Sequence, residues 1–182
     1  MGMPPVPTVE TERLILRGFR KDDHAAYASM RADPGVVRYL IGGETLIPFA
    51  EEIANSRLKS FAEGWRCGFG VWAVEDRVSG TLIGHAGLAR LERSEHVEVL
   101  YALAPKWWGK GFAREAARAA LRFGFETAGL ARIVGFVVPE NTASARVLEV
   151  IGLRSIGPIA YNGFTVLGYA VTAAEWRTRT QA

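Results

Sequence analysis

A short apolar run, Val97-Glu98-Val99-Leu100-Tyr101-Ala102-Leu103, is followed by Pro105 and then by Trp107-Trp108-Gly109-Lys110-Gly111-Phe112-Ala113. Next comes an Ala- and Arg-rich stretch with Ala113, Ala116, Ala117, Ala120, Leu121 and Phe125 at helical spacing. A strand, a glycine turn and a helix start, in that order, point to an α/β chain with an anion cradle at the junction. Glycines let the backbone approach a ligand closely, and the free N–H groups and positive dipole end of the helix favour a phosphate. Two glycines that begin a helix are not explained by an ordinary turn or C-cap.

The hydrophobic pattern lays out the rest of the domain around this junction. Leu14-Ile15-Leu16 alternates with Arg13 and Arg17 as a first strand. Asp22 or Asp23 caps a helix to about Ala32, stopped by Pro34-Gly35. Pro48 opens a second helix that turns Ile53, Leu58 and Phe61 inward and ends at Gly64. Residues 69–75 and 81–91 read as strands joined by a turn at 76–80, and a polar turn at 92–95 leads into the Val97 strand. After the helix ending at Gly129, residues 132–138 form a β-branched strand, which makes one right-handed parallel crossover. Asn141 or Thr142 caps a shorter helix burying Val147, Leu148 and Ile151, and two last strands flank the hairpin dipeptide Asn162-Gly163. The expected fold is a single α/β domain: a mixed, mostly antiparallel sheet with a central parallel pair and flanking helices.

Composition narrows the function. The 182 residues suit one domain with a sizeable core, and a hydrophobic fraction of 49% with 23% charged is ordinary for a folded protein. No apolar run is long enough for a membrane span and no signal-peptide pattern is present, so no membrane partner and a cytoplasmic location are expected. A net charge of +3 does not indicate a nucleic-acid partner but suits an anionic ligand, and Lys106, Lys110, Arg114 and Arg118 gather at the glycine turn. One cysteine, Cys67, excludes an internal disulfide and a cysteine metal cluster; no metal is expected. Residues 1–8 read as a flexible leader, 9–176 as the domain and 177–182 as a tail.

The phosphate motif has rivals. G-x-x-x-x-G-K-[ST], the nucleoside-triphosphate loop, is absent. A dinucleotide-binding enzyme would use Gly109-x-Gly111 with Glu140 after the next strand, but Arg114 stands where a third glycine belongs and there is one crossover where that fold repeats them.

At this point the chain resembles the GCN5-related N-acetyltransferases (GNAT), especially the subgroup of bacterial enzymes that acetylate ribosomal-protein N-termini. The family's acetyl-CoA loop, Q/R-x-x-G-x-G/A, stands here as Lys106-Trp107-Trp108-Gly109-Lys110-Gly111, and Trp108 to Ala116 is similar to the subgroup's own version. The family's Asn followed by a short helix ending in Gly-Phe is similar to Asn141-Thr142-Ala143-Ser144, continuing to Gly152-Leu153. Thr11-Glu12-Arg13-Leu14-Ile15-Leu16-Arg17 resembles the subgroup's opening, and the likeness runs over roughly residues 9 to 172.

The resemblance implies direct acetyl transfer from acetyl-CoA to an amine acceptor, a protein N-terminal α-amine or a small-molecule amine, with no acyl-enzyme. It rests the pyrophosphate on the backbone N–H groups of Gly109, Lys110, Gly111, Phe112, Ala113 and Arg114, with Trp108 beside them. It lays the pantetheine arm between two splayed strands against Tyr101, Ala102 and Leu103. A backbone N–H near Leu100 or Tyr101 then polarises the thioester carbonyl, an effect worth about 3 kcal/mol by analogy with other oxyanion donors. Asn141 is implied as a ligand of the arm, as well as a helix cap. Ser144 is a candidate donor to the leaving thiolate, because Leu148 stands where many members carry a tyrosine acid. Glu98 is the candidate base, with His85 and His96 as alternatives.

The need for a base depends on the acceptor. An α-amine of pKa ~7.8 is roughly 14% neutral at pH 7, whereas a lysine at ~10.4 is about 0.04% neutral. A site without an obvious strong base therefore suits a low-pKa amine. Tyr39, Phe49, Trp65 and Trp72 are candidates for the acceptor wall, though most aromatics of this kind are core; Trp107 and Trp108 are expected to pack under the phosphate loop. A homodimer through the last hairpin and Trp176 is one option, packing within the chain the other. A non-catalytic acyl-CoA-binding module is the alternative function.

Overall fold

The computed structural model describes residues 5–40, 42–91, 94–161 and 163–180. Its strands are β1 (Val9–Glu10), β2 (Leu14–Arg17), β3 (Val71–Asp76), β4 (Leu82–Arg90), β5 (Val97–Leu103), β6 (Arg132–Val137), β7 (Arg154–Tyr161) and β8 (Phe164–Thr172). They form one sheet in the order β1-β2-β3-β4-β5-β6-β8-β7. Every neighbouring pair is antiparallel except β5 and β6. Helices α1 (Asp23–Arg31), α2 (Pro34–Val37) and α3 (Ala50–Gly64) cover one face, where Tyr27, Val36, Ala54 and Phe61 form a small core. Helices α4 (Phe112–Arg122), α5 (Thr142–Val150) and α6 (Ala173–Thr180) contribute to the larger core on the other face, which includes Leu16, Val99, Leu121, Leu148 and Trp176. No helix among the described residues is long and apolar enough to cross a membrane.

The expected parallel pair is present and it splays. β4 holds β5 along its whole length, from Gly84↔Leu103 to Arg90↔Val97. On its other side β5 meets β6 at Glu98↔Val134, the one paired position, and the strands then part. The sheet is thus opened in its middle by a gap starting just past Glu98.

The helix that faces this gap starts where the sequence places it. Gly109 (φ 72°) and Gly111 (φ 80°) are left-handed, a conformation that strains a residue bearing a Cβ. Gly111 is the N-cap of α4, and no side chain caps the helix. Phe112, Ala116, Ala117, Ala120 and Leu121 recur on one face and are buried. α4 widens into a π-turn at Phe123–Thr127, and Gly129 (φ 66°) follows as its terminator.

Several local expectations change. Asp22 caps nothing with its side chain, and Asp23 points to Arg17. Pro34 opens a further helical turn, because the Asp33 carboxylate accepts from the Gly35 N–H at 2.8 Å. Pro48 lies inside a 3₁₀ segment, Gly43–Phe49, and α3 begins at Ala50. Along α3, Ala54 and Phe61 are buried, while Ile53 and Leu58 are half-buried. Val6 and Pro7, placed by the sequence in the leader, are tied down: Trp72 Nε1 donates to the Pro7 carbonyl at 2.7 Å and Val6 packs on the core. Residues 177–180 of the expected tail continue α6, whose start is a capping box missed in the sequence. Thr172 Oγ1 and N–H donate to the Glu175 carboxylate, and the Glu175 N–H donates back to Thr172 Oγ1. Trp176 is 3% exposed and stacks on Phe125, so it packs within the chain. Strands β7 and β8 form the expected hairpin, although Asn162 lies outside the described residues, as do Glu92 and Arg93 of the expected 92–95 turn.

Candidate active site

Two cavities of about 740 Å³ each meet at the gap. One is lined by the α4 mouth, from Trp107 to Arg114, and by Tyr101, Ala102 and Leu103. The other lies toward α1 and α3 and holds Arg31, Arg57, His85, Glu98, Leu100 and Phe136. Tyr39, Leu40, Tyr101, Ala102, Asn141 and Ser144 line both, so they mark the junction.

Alternation along β5 sorts its residues. Pairing with β4 includes Ala104 N–H to the Ile83 carbonyl at 2.8 Å and Leu91 N–H to the His96 carbonyl at 3.0 Å. In that register Leu100 and Ala102 turn their backbone groups to β4, while Tyr101 and Leu103 turn theirs to the gap. Of the three backbone contacts expected for the pantetheine arm, Tyr101 and Leu103 thus have backbone groups facing the gap and Ala102 does not. The candidate oxyanion donor narrows to the Tyr101 N–H. The Leu103 carbonyl already accepts from Trp108 Nε1 at 2.6 Å.

At the α4 mouth, no N–H from Gly109 to Arg114 is bonded to another described backbone carbonyl. The mouth is anchored from β2's approach. Thr11 Oγ1 and Arg13 N–H donate to Glu115 Oε1 at 2.6 and 2.9 Å, and Arg13 Nε donates to Oε2 at 2.7 Å. Arg13 Nη1 reaches the Lys110 carbonyl at 2.9 Å, and its guanidinium lies 4.4 Å from the Phe112 ring centre. Burial raises the Glu115 carboxyl, but these donors outweigh it and hold the group below its ordinary value. Trp107 packs edge-on against Phe112 as expected. Trp108 does not pack beneath the loop: it is 44% exposed, and its indole spans from the Leu103 carbonyl toward Gly35.

On the other side of the junction the electrostatics are unusual. Glu98 is pushed up from 4.5 to about 7, chiefly by burial, with Arg57 and the Phe136 N–H pulling the other way. A carboxyl near neutrality suits proton transfer at physiological pH. His85 is 2% exposed, and burial followed by Arg57 and Arg31 keeps it well below 6.5, hence neutral. Tyr101 Oη lies 3.0 Å from Ser144 Oγ and donates to the Ser144 carbonyl at 3.1 Å. Burial raises the Tyr101 hydroxyl, so it stays protonated. Asn141 Oδ1 accepts from the Ser144 N–H at 3.1 Å, which is the cap the sequence predicts. Its amide also lines both cavities.

The family model described as Acetyltransferase (GNAT) domain matches residues 13–154. The chain belongs to the GNAT acetyltransferase family. A relative in Bacillus subtilis, an uncharacterised N-acetyltransferase YoaA, is 33% identical over 153 residues, covering 83% of this chain and 85% of its own. The FsC-acetyl coenzyme A-N(2)-transacetylase of Aspergillus fumigatus is 28% identical over 196 residues, covering 97% and 80%. An acetyltransferase structure from Agrobacterium tumefaciens superposes with a TM-score of 0.80 at 29% identity, covering 91% of this chain and 94% of that one. The chain is thus an acetyltransferase, and its mixed sheet with one splayed parallel pair is the family's fold.

Against that family background, the structure gathers Glu98, Leu100, Tyr101, Ala102, Leu103, Trp108 to Arg114, Asn141 and Ser144 around the two cavities. Leu148, at the position of the family's tyrosine, is buried at 2%, and its methyl groups sit where a Cβ on Gly135 would stand. Of the aromatic candidates, Tyr39 lines the site, Trp65 and Trp72 are core, and Phe49 is exposed. His96 is exposed and outside both cavities. Sequence reasoning missed the Tyr101 hydroxyl, which had counted only by its backbone, and Arg31 and Arg57. The arginines lie on two helices far away in sequence, and no local pattern separates them from solvated charge.

Proposed function

We propose that this protein is an acetyl-CoA-dependent N-acetyltransferase that passes the acetyl group directly to an amine in the gap between β5 and β6. The observation that carries the reading is the junction itself: an unbonded helix mouth and an unpaired β5 edge open on one side of Tyr101, and a carboxyl near neutrality stands on the other. Those donors fit a diphosphate and an extended amide-bearing arm. Acetyl-CoA supplies an activated thioester when bound.

In this reading the N–H groups from Gly109 to Arg114 hold the pyrophosphate, and Tyr101 and Asn141 align the arm. The Tyr101 N–H polarises the thioester carbonyl. Glu98 accepts the proton of the attacking amine, directly or through water, and its position near pH 7 matches an α-amine or another low-pKa amine. Ser144 Oγ, hydrogen-bonded to Tyr101 Oη, donates toward the departing sulfur. A thiolate of pKa near ~8.5 asks for little acid help, which is consistent with leucine at position 148.

Release of free coenzyme A thiol, followed with a panel of amines, tests the reading. Amine-dependent release is expected, with α-amines ahead of lysine-type amines at pH 7. Coenzyme A binding without turnover on any amine would instead make the chain a non-catalytic acyl-CoA-binding module.

A further inference from the structure

Arg31 is an anomaly of the cavity that lies toward α1 and α3. Its residue is 5% exposed, it lines the cavity, and its Nε is buried without a hydrogen-bond partner. No carboxylate pairs with it among the described residues. Burial lowers its affinity for a proton; Tyr27 opposes that, and the like charge of Arg57 adds to it. Arg57 also lines the cavity, its guanidinium 5.6 Å from the Phe61 ring centre, and no acid among the described residues forms an ion pair with it. The titratable groups facing the two arginines do not neutralise them: His85 is held neutral, Tyr27 keeps its proton through burial, and Glu98 is only partly ionised near neutral pH. A buried, unpaired guanidinium costs several kcal/mol, and buried charges are as a rule paired. The cavity is also lined by Tyr39, Leu46, Ile53 and Leu100, and Arg57 lies close enough to Glu98 to act on its carboxyl.

We infer that Arg31 and Arg57 form a carboxylate-recognition site, so that the acceptor is a small amine that also bears a carboxylate, of the amino-acid type. The planar guanidinium matches a carboxylate bidentately. The amine of the same molecule then projects to Glu98. This inference rests on the acetyl-transfer reading for the amine end, but the anion site stands on its own geometry.

The test pairs each amino acid with its own amide, at saturating acetyl-CoA, in wild type, Arg31→Met and Arg57→Met. The expected result is that the acid-to-amide ratio of kcat/KM falls about 30-fold in Arg31→Met, the loss of a charge-assisted pair, and less in the more exposed Arg57→Met. A ratio unchanged within about twofold would overturn the carboxylate site. A thermal-shift arm with N-acetylated amino acids and their amides reads binding without turnover. Stabilisation by the acids alone, lost in Arg31→Met, is expected. If it is seen while no amine is acetylated, the anion site survives and the transfer reading fails. If amides and acids are acetylated equally well by all three proteins, the transfer reading survives and the anion site fails.

Discussion

Two arginines are equally buried in this molecule and have opposite surroundings. Arg17, 6% exposed, donates to Glu75 Oε2 at 2.6 Å and to both Asp23 oxygens at 2.7 and 2.9 Å. Hydrogen bonding to Asp23, opposed by burial and aided by Glu75, holds its guanidinium well above the ordinary value. Arg31, 5% exposed, has no acid and is pushed the other way by burial. The first locks β2, α1 and β3 together. The second stands in a cavity with its charge uncompensated. The same residue type at the same depth thus marks architecture in one place and a waiting ligand in the other, and the difference is read from partners and not from burial.

Arg17→Met sharpens that contrast most. It leaves Asp23 and Glu75 buried without their main cation, and a loss of about 3–5 kcal/mol in urea unfolding is expected. Arg31→Met is expected to raise unfolding stability by about 1 kcal/mol or more, because it removes a buried charge that has no partner. A loss of stability in Arg31→Met would mean that the charge is structurally satisfied after all.

The two regions also differ in their response to pH. Burial raises the Asp23 carboxyl, but Arg17 and the Arg20 N–H outweigh it and hold the group below 3.8. Its stabilising contribution is therefore full above that value and is lost as pH falls through the lower folded value. Glu98 runs the other way: raised from 4.5 to about 7, its contribution is full below 4.5 and is lost as pH rises to about 7. Urea midpoints from pH 3 to 8 should show Asp23→Asn losing its disadvantage toward acid. Glu98→Gln should gain on wild type between about pH 4.5 and 7, and curves that stay parallel would remove the proposed environments.

A smaller effect is expected at the helix mouth. Glu115→Gln weakens the anchor formed by Thr11 and Arg13, and coenzyme A binding by calorimetry should loosen about fivefold, the worth of roughly one hydrogen bond. Because Glu115 acts by positioning, kcat at saturating acetyl-CoA should change less than Kd.

The legible parts were those with a local physical signature. Gly109 and Gly111 announced a turn at a helix start, which the structure builds left-handed; Asn141 or Thr142 announced a cap, which Asn141 supplies; and residues 97–103 and 132–138 announced the central strands. Asp33, Thr172 and Glu175 carried short-range capping signals that went unread. The partition of β5 into gap-facing Tyr101 and β4-facing Leu100 needed the register, which one strand's sequence does not contain. The pairing of Tyr101 with Ser144, and the meeting of Arg31 on α1 with Arg57 on α3 in one cavity, are products of tertiary packing. Residues 26 apart on different helices leave no periodic trace of that kind.

Glu98 is the proton acceptor in the proposed transfer. The direct measurement is kcat/KM for the acceptor against pH, in wild type and in Glu98→Gln, using an amine of pKa about 10.4 so that its own titration lies far away. The slope of log kcat/KM should drop by about one near pH 7 in wild type and show no break there in Glu98→Gln, whose rate falls about 100-fold or more. A break at the same pH, with a similar rate, in Glu98→Gln would contradict the assignment.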